Sequence, residues 1–181
     1  MQNHTKYGEP EKRQSRAKIA EIAWLAGIVD GEGCLYAGFN QRSDPNWAKM
    51  MKVNLRIGNC DLSLIEKSQK IILKVAGRKY KIHSQTNGMP NVLYTIDVEN
   101  QRGIYLVCRV MLPYLTAKRK QAREMMRLLE SRKRARHGDW KAKLTEREIR
   151  MVEKIRALKR SDLTPTQLGV STERVAPANA G

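Results

Sequence analysis

Ten residues, Trp24-Leu25-Ala26-Gly27-Ile28-Val29-Asp30-Gly31-Glu32-Gly33, constrain the fold more than any other stretch of the chain. From Ile19 to Val29 almost every residue is apolar or small, which leaves no polar stripe for water and predicts a helix buried on all sides. Gly27 and Gly31 lie one turn apart on one side. With Ala23 they form a groove of small residues into which another helix backbone can sink. The run is too short to cross a bilayer and is bracketed by Glu21 and Asp30, which argues against a membrane dimer motif. Gly31 and Gly33 are expected to break the helix, leaving the Glu32 carboxylate at the turn and directed away from the core. A calcium loop opening at Asp30 is rejected, because its fifth, sixth and twelfth positions hold Cys34, Leu35 and Gln41 in place of an oxygen ligand, glycine and glutamate.

Charge indicates what such a core is built to meet. The 181 residues include 35 Lys and Arg against 18 Asp and Glu, a net +17 and a pI near 10.1, which points to a polyanionic partner. Residues 131–160 hold twelve Lys and Arg against four acids, a net +8, so the remaining +9 lies elsewhere and the basicity is not only a tail effect. Cys34, Cys60 and Cys108 are odd in number and widely spaced, and His4, His83 and His137 are equally scattered. No zinc site or disulfide framework emerges from them. The N-terminus has neither an apolar signal core nor an acid-free amphipathic presequence, and the chain reads as intracellular, not secreted and not membrane-bound. Its length suits one well-cored domain with tails.

Residues 1–15 are polar and are expected to form a flexible arm. After the central helix, Cys34 to Arg42 alternates, with Leu35, Ala37 and Phe39 on one face and Cys34, Tyr36, Gly38, Asn40 and Arg42 on the other. Ser43-Asp44-Pro45-Asn46 is a turn or loop, and Ala48 to Asn59 repeats the alternation, with Val53, Leu55 and Ile57 inward and Lys52, Asn54 and Arg56 outward. Asp61 caps a helix through Leu64, Ile65, Ile72 and Val75 that Gly77 ends. Lys79 to Gln85 forms a third strand with Lys79, Lys81, His83 and Gln85 on one side. Thr86-Asn87-Gly88 turns it into a fourth strand, Val92 to Val98, with Tyr94, Ile96 and Val98 inward. Asn100 caps a helix from Gln101 to Met111, and a further helix from Thr116 buries Ala122, Met125 and Leu129. Two hairpins, each followed by a helix, make an α+β domain whose antiparallel sheet has one apolar and one basic polar face. Beyond it, Arg132-Lys133-Arg134-Ala135-Arg136 reads as a phosphate-contacting cluster. Thr145 and Glu148 form a capping box for a helix from Glu146 to Lys159 with a Val152, Ile155 and Leu158 stripe.

The opening ten residues resemble the motif of the LAGLIDADG homing endonucleases: Leu25, Ala26, Gly27, Asp30 and Gly33 are identical to it, and Ile28, Val29, Gly31 and Glu32 are conservative departures. The resemblance covers residues 16–130 and implies an αββαββα core, with 131–160 a basic helical extension and 161–181 a flexible tail. In that family two motif helices pack at the centre of the protein, and the last acid of each binds a divalent metal beside the scissile phosphates. Here that acid would be Glu32, helped by the Gly31 carbonyl, whereas Asp30 would belong to the helix end and not to the chemistry. One motif in so short a chain implies a homodimer, with Ala23, Gly27 and Gly31 at its interface. Leu112 to Ala122 resembles the family segment that supplies a lysine near the active site, which matches Lys118, with Lys120 one step further. Asn59 matches a polar residue that orders water around the metals, and Ser63 stands where some relatives carry a base.

The family lays its sheet along the DNA major groove, and a strand of about eight residues spans roughly 26 Å, or about eight base-pair steps. Candidate base and phosphate contacts are therefore Tyr36, Asn40, Arg42, Lys52, Asn54, Arg56, Lys79, Lys81, His83 and Lys120, with Arg suited to guanine and Asn to adenine. The implied activity is site-specific cleavage of double-stranded DNA at a long pseudo-palindromic site. It would use Mg²⁺ or Mn²⁺, with Ca²⁺ binding but not supporting cleavage. The competing expectation keeps the fold without cutting, as an RNA maturase acting on a host intron or as a DNA-binding regulator.

Overall fold

The alternation read along the second strand decides which way the sheet faces. In a computed structural model, which describes residues 17–40, 50–86, 91–135 and 144–161, Val53, Leu55 and Ile57 are buried under helices while Lys52 and Arg56 face outward. Helix α1 (Ile19–Glu32) leads directly into strand β1 (Gly33–Asn40), which is followed by β2 (Met50–Asn59) and helix α2 (Leu62–Ala76). Strands β3 (Ile82–Gln85) and β4 (Leu93–Val98) precede helices α3 (Gln101–Met111), α4 (Arg119–Ala135) and α5 (Glu146–Ser161). The strands lie in the order β1-β2-β4-β3 with every neighbour antiparallel. This is the expected αββαββα core followed by C-terminal helices. The arm 1–15, Arg42, the turn 43–46 and the tail from 162 onward lie outside the described residues, as does the side chain of Asn40.

The register keeps each face consistent across all four strands. Leu55 pairs with Leu35 and Val98, and Ile57 with Ile96, which in turn pairs with Ile82. These side chains meet Ile22, Leu25, Ile65, Ile72, Ile104 and Met111 from the helices, and each fully buried aliphatic contributes about 1.5–3 kcal/mol. Two glycine-dependent features hold the ends of elements. Gly77 ends α2 in the left-handed region at φ 70°, as expected of a helix stop. A side chain on Gly33 would place its Cβ 2.6 Å from the Val29 carbonyl oxygen, so glycine lets β1 leave α1 without a connecting loop.

Five expectations are corrected. Helix α1 is not buried on all sides within this chain: Ile22, Leu25, Ala26 and Val29 are buried, whereas Ile19 is 68% exposed and Gly27 and Gly31 face outward. Nor does Gly31 break it, because the helix runs on through Glu32 and the turn falls at Gly33. Strand β3 starts at Ile82, not Lys79. Tyr80 is drawn inward, its carbonyl accepting from Gln69 Nε2 at 2.6 Å and its hydroxyl donating to Asn100 Oδ1, so the chain before Ile82 follows the helices and not the sheet. Asn100 consequently occupies the N-cap position of α3 without capping it through its side chain.

The fifth correction concerns the basic cluster at 132–136. Arg132 is buried and donates to Glu148 Oε2 at 3.2 Å, so this residue ties α4 to α5 and does not meet a phosphate. The Thr145–Glu148 capping box is present, with Thr145 N donating to Glu148 at 2.9 Å and Glu148 N to Thr145 Oγ1 at 3.2 Å. Helix α4 passes unbroken across residue 130, burying Ala122, Met125 and Leu129, and α5 adds Val152 and Ile155 to the same core. Gln121 donates to both the Leu35 carbonyl at 3.1 Å and the Ile155 carbonyl at 3.4 Å, which joins edge strand β1 to the two C-terminal helices. An edge covered in this way is closed to strand addition.

Candidate active site and nucleic-acid interface

The last turn of a helix presents carbonyls that have run out of intrahelical donors. In α1 the Val29 carbonyl accepts from Gly33 N, and the Asp30 carbonyl accepts from the Lys118 ammonium at 2.5 Å. Asp30 also reaches across with its carboxylate, accepting from Thr116 N at 2.6 Å and Lys118 N at 2.9 Å. These are charge-assisted bonds to backbone N–H groups just ahead of α4, the kind that caps a helix start. Asp30 thus holds the Lys118 segment against the end of α1 at three points, its own carbonyl included. The ammonium is so fixed on the carbonyl of Asp30, two positions before Glu32 on the same helix end, and the Glu32 side chain is exposed. Residues 86 and 88 positions apart in sequence are brought together here.

Asn59 lies at the same end of the sheet. The β1–β2 ladder begins with Gly33 opposite Ile57, so Asn59 sits just past it, beside the α1 terminus. Its Oδ1 accepts from Asp61 N at 2.8 Å, and Asp61 in turn caps α2 through Ser63 N at 2.8 Å. Hydrogen bonding to Ser63 holds the Asp61 carboxyl below its ordinary value, since only the charged form accepts fully. Ser63 therefore serves the helix start. Among the described residues no three His, Cys, Asp or Glu side chains come together into a closed metal cage. One exposed carboxylate beside a terminal helix carbonyl is nevertheless a donor set that fits Mg²⁺, which commonly takes one or two carboxylates and completes its shell with substrate phosphates and water.

On the outward face of the sheet, Tyr36 is 39% exposed and its ring lies over Gly38, occupying the space a side chain there would fill. Lys52, Arg56 and His83 are exposed on the strands, Lys79 and Lys81 are exposed on the segment leading into β3, and Lys120 is exposed on the first turn of α4. Asn54 departs from expectation: it is buried, and its Nδ2 donates to Asp97 Oδ1 at 2.6 Å. The same oxygen accepts from Arg56 Nε at 2.7 Å. Burial pushes the Asp97 carboxyl up, but the Arg56 and Asn54 hydrogen bonds and the charges of Arg56 and His83 outweigh it and hold the group below the ordinary carboxylate value. Asp97 was legible as outward-facing from the alternation of Tyr94, Ile96 and Val98. Its partners, 41 and 43 residues upstream, were not.

The small-residue groove of α1 is open among the described residues. A Cβ added at Gly27 or Gly31 would meet nothing within 4 Å, and Ala23 is half-buried beside them. Across the helix, Glu21 pairs with Lys74 at 2.6 Å and the Lys67 ammonium stands 4.1 Å from the Trp24 ring centroid, so the flanks are occupied while the small residues are not.

No family model and no curated protein sequence matches the chain significantly, but solved structures do. The homing endonuclease I-CvuI, crystallised with its DNA target, is 20% identical with a TM-score of 0.54 over 76% of this chain and 95% of that one. The archaeal intron-encoded homing endonuclease I-Vdi141I, complexed with DNA, is 13% identical with a TM-score of 0.59 over 80% and 86%. The LAGLIDADG homing endonuclease I-GzeII, also with a DNA target, is 15% identical with a TM-score of 0.54, and the match takes in 87% of this chain but only 50% of that one. With the same helix-to-strand order and the same four-stranded sheet, the chain has the fold of the LAGLIDADG homing endonucleases.

Proposed function

We propose that the chain is a homodimeric, divalent-metal-dependent endonuclease that cuts double-stranded DNA at a specific, pseudo-palindromic site. The observation that carries this reading is the Lys118 ammonium fixed on the Asp30 carbonyl beside the exposed Glu32. A cation and a carboxylate held at one helix end, at the edge of a basic sheet, suit a phosphate approaching along that sheet. The open Ala23, Gly27 and Gly31 face supports two-fold pairing of α1 helices, and so does the match to half the length of I-GzeII.

In this reading Glu32 of each subunit and the Gly31 carbonyl hold Mg²⁺ or Mn²⁺. When bound, the ion supplies a water of lowered pKa and positive charge for the phosphate oxygens. Lys118 adds charge at the developing pentavalent phosphate, and its value lies in being fixed before DNA arrives. Asp30 is a positioning residue that sets the Lys118 backbone and side chain together. Asn59 orients water at the sheet edge. Tyr36, Lys52, Arg56, Lys81 and His83 face the major groove, and Lys79 and Lys120 face flanking phosphates. No residue becomes covalently attached to DNA.

The test is incubation with a randomised duplex library in Mg²⁺, alongside Ca²⁺ and Glu32→Gln controls, followed by sequencing of cut ends. Staggered cuts around a pseudo-palindrome, absent in both controls, are expected. Salt-sensitive binding without cuts under any divalent metal would overturn the nuclease reading and direct the next experiment to structured intron RNA.

A further inference from the structure

The sheet face proposed above to meet DNA carries, within its four strands, a single acid, Asp97. A carboxylate aimed at phosphates weakens binding through like-charge repulsion, so its presence on this face calls for a compensating use. Its surroundings suggest one. Asp97 and Arg56 are direct cross-strand partners, and the acid lies deep, its side chain 12% exposed, while the guanidinium stands above it at 56%. A single oxygen, Asp97 Oδ1, accepts from Arg56 Nε at 2.7 Å and from Asn54 Nδ2 at 2.6 Å. Engaging Nε leaves the two terminal amino groups of Arg56 for a ligand, in the planar fork that matches guanine O6 and N7. The carboxylate also restrains a side chain that otherwise has many rotamers, so that much of the ordering cost is met on folding and not on binding. Asn54, buried and donating to the same oxygen, braces the acid from below and is unavailable as an adenine reader.

Resting on the endonuclease reading, we infer that Asp97 is a specificity-determining positioning residue: it holds Arg56 so that the sheet reads one guanine in each half-site. The depth of Asp97, with its side chain 12% exposed, argues against the other use of an acid in the major groove, direct acceptance from cytosine N4.

The experiment is selection of bound duplexes from a randomised library in Ca²⁺, at one fixed salt concentration, with wild type, Arg56→Ala, Asp97→Ala and Asp97→Asn. Wild type should select guanine at one position per half-site, and Arg56→Ala should lose that preference. Asp97→Ala should weaken it about tenfold or more, while binding to unrelated DNA tightens because a negative charge is gone. Asp97→Asn, which keeps an acceptor and the side-chain shape, should retain part of it. A charge effect alone would tighten binding uniformly and leave the sequence profile unchanged. A wild-type profile preserved in Asp97→Ala, or a preference at this position that survives Arg56→Ala, would overturn the assignment by itself. Failure of wild type to select any sequence would overturn the DNA-recognition reading and the assignment with it.

Discussion

Asp30 and Glu32 sit two positions apart on one helix end, and the structure separates what each should do. The Asp30 carboxylate accepts two backbone N–H bonds, so Asp30→Ala, which keeps the backbone carbonyl that holds the Lys118 ammonium, should cost about 1–3 kcal/mol of stability, read as a lowered urea midpoint. Glu32 is exposed, and Glu32→Gln should shift stability by no more than about 0.5 kcal/mol while abolishing cleavage in the proposed enzyme. Equal stability losses in the two variants would contradict this division. Acid provides a second handle on single carboxylates. Asp97, Asp61 and Glu21 all titrate below their ordinary values, so the unfolded chain takes up their protons first as pH falls. The stability they contribute should be complete above the ordinary carboxylate range and fall as pH drops below about 4 towards their lowered folded values, and Asp97→Asn should flatten that fall in melts taken between neutral and acid pH. At this scale the exposed place of Glu32 at the helix end was legible because a ten-residue pattern carries it. The clamp by Asp30 was not, because its partners lie 86 and 88 residues away and nothing local marks them.

Helix α2, whose signals are local, was read correctly, and strand β3, bent by distant partners, was not. Helix α2 has both its Asp61 cap and its Gly77 stop where expected, each signal lying next to the element it bounds. Strand β3 is shorter than its alternation suggests, since Tyr80 finds Gln69 and Asn100 and leaves the sheet. Helix α5 was legible from its capping box, but the second duty of Glu148, receiving Arg132, turns part of a basic run into a joint between helices. Both partners are almost fully buried, at 3% and 0% exposure of their side chains, so removing one strands the other. Arg132→Ala should therefore cost about 3–5 kcal/mol, and Arg132→Met paired with Glu148→Leu should recover part of the loss even though the capping contacts of Glu148 go with it. A chemical denaturation series over the two single variants and the double variant measures this. If Arg132→Ala instead left stability intact and reduced only DNA affinity, the cluster would be a phosphate contact after all.

At the scale of the whole molecule, the small-residue face of α1 is left unfilled by the described residues, and two substitutions there give opposite results for a lone chain and a pair. Gly27 is a helical glycine with open space around it, so in an isolated chain Gly27→Ala should raise stability by up to about 1 kcal/mol through helix propensity alone. Gly27→Leu should be harmless there too. If two α1 helices pack through this groove, the leucine instead wedges between backbones that small residues allow to touch. Sedimentation should then show wild type at twice the 20.8 kDa chain mass and Gly27→Leu at the single mass, with helical content retained and cutting lost, since each subunit supplies one Glu32 to a site both must complete. The motif made this face legible as a helix-packing groove, and a single motif in so short a chain implies that the other helix comes from a second copy. The open space around Gly27 and Gly31 shows that no described residue of this chain fills it. A Gly27→Leu protein that keeps the wild-type mass and cuts as before would dismiss the groove as an interface, and the second half of the proposed active site would have to come from elsewhere.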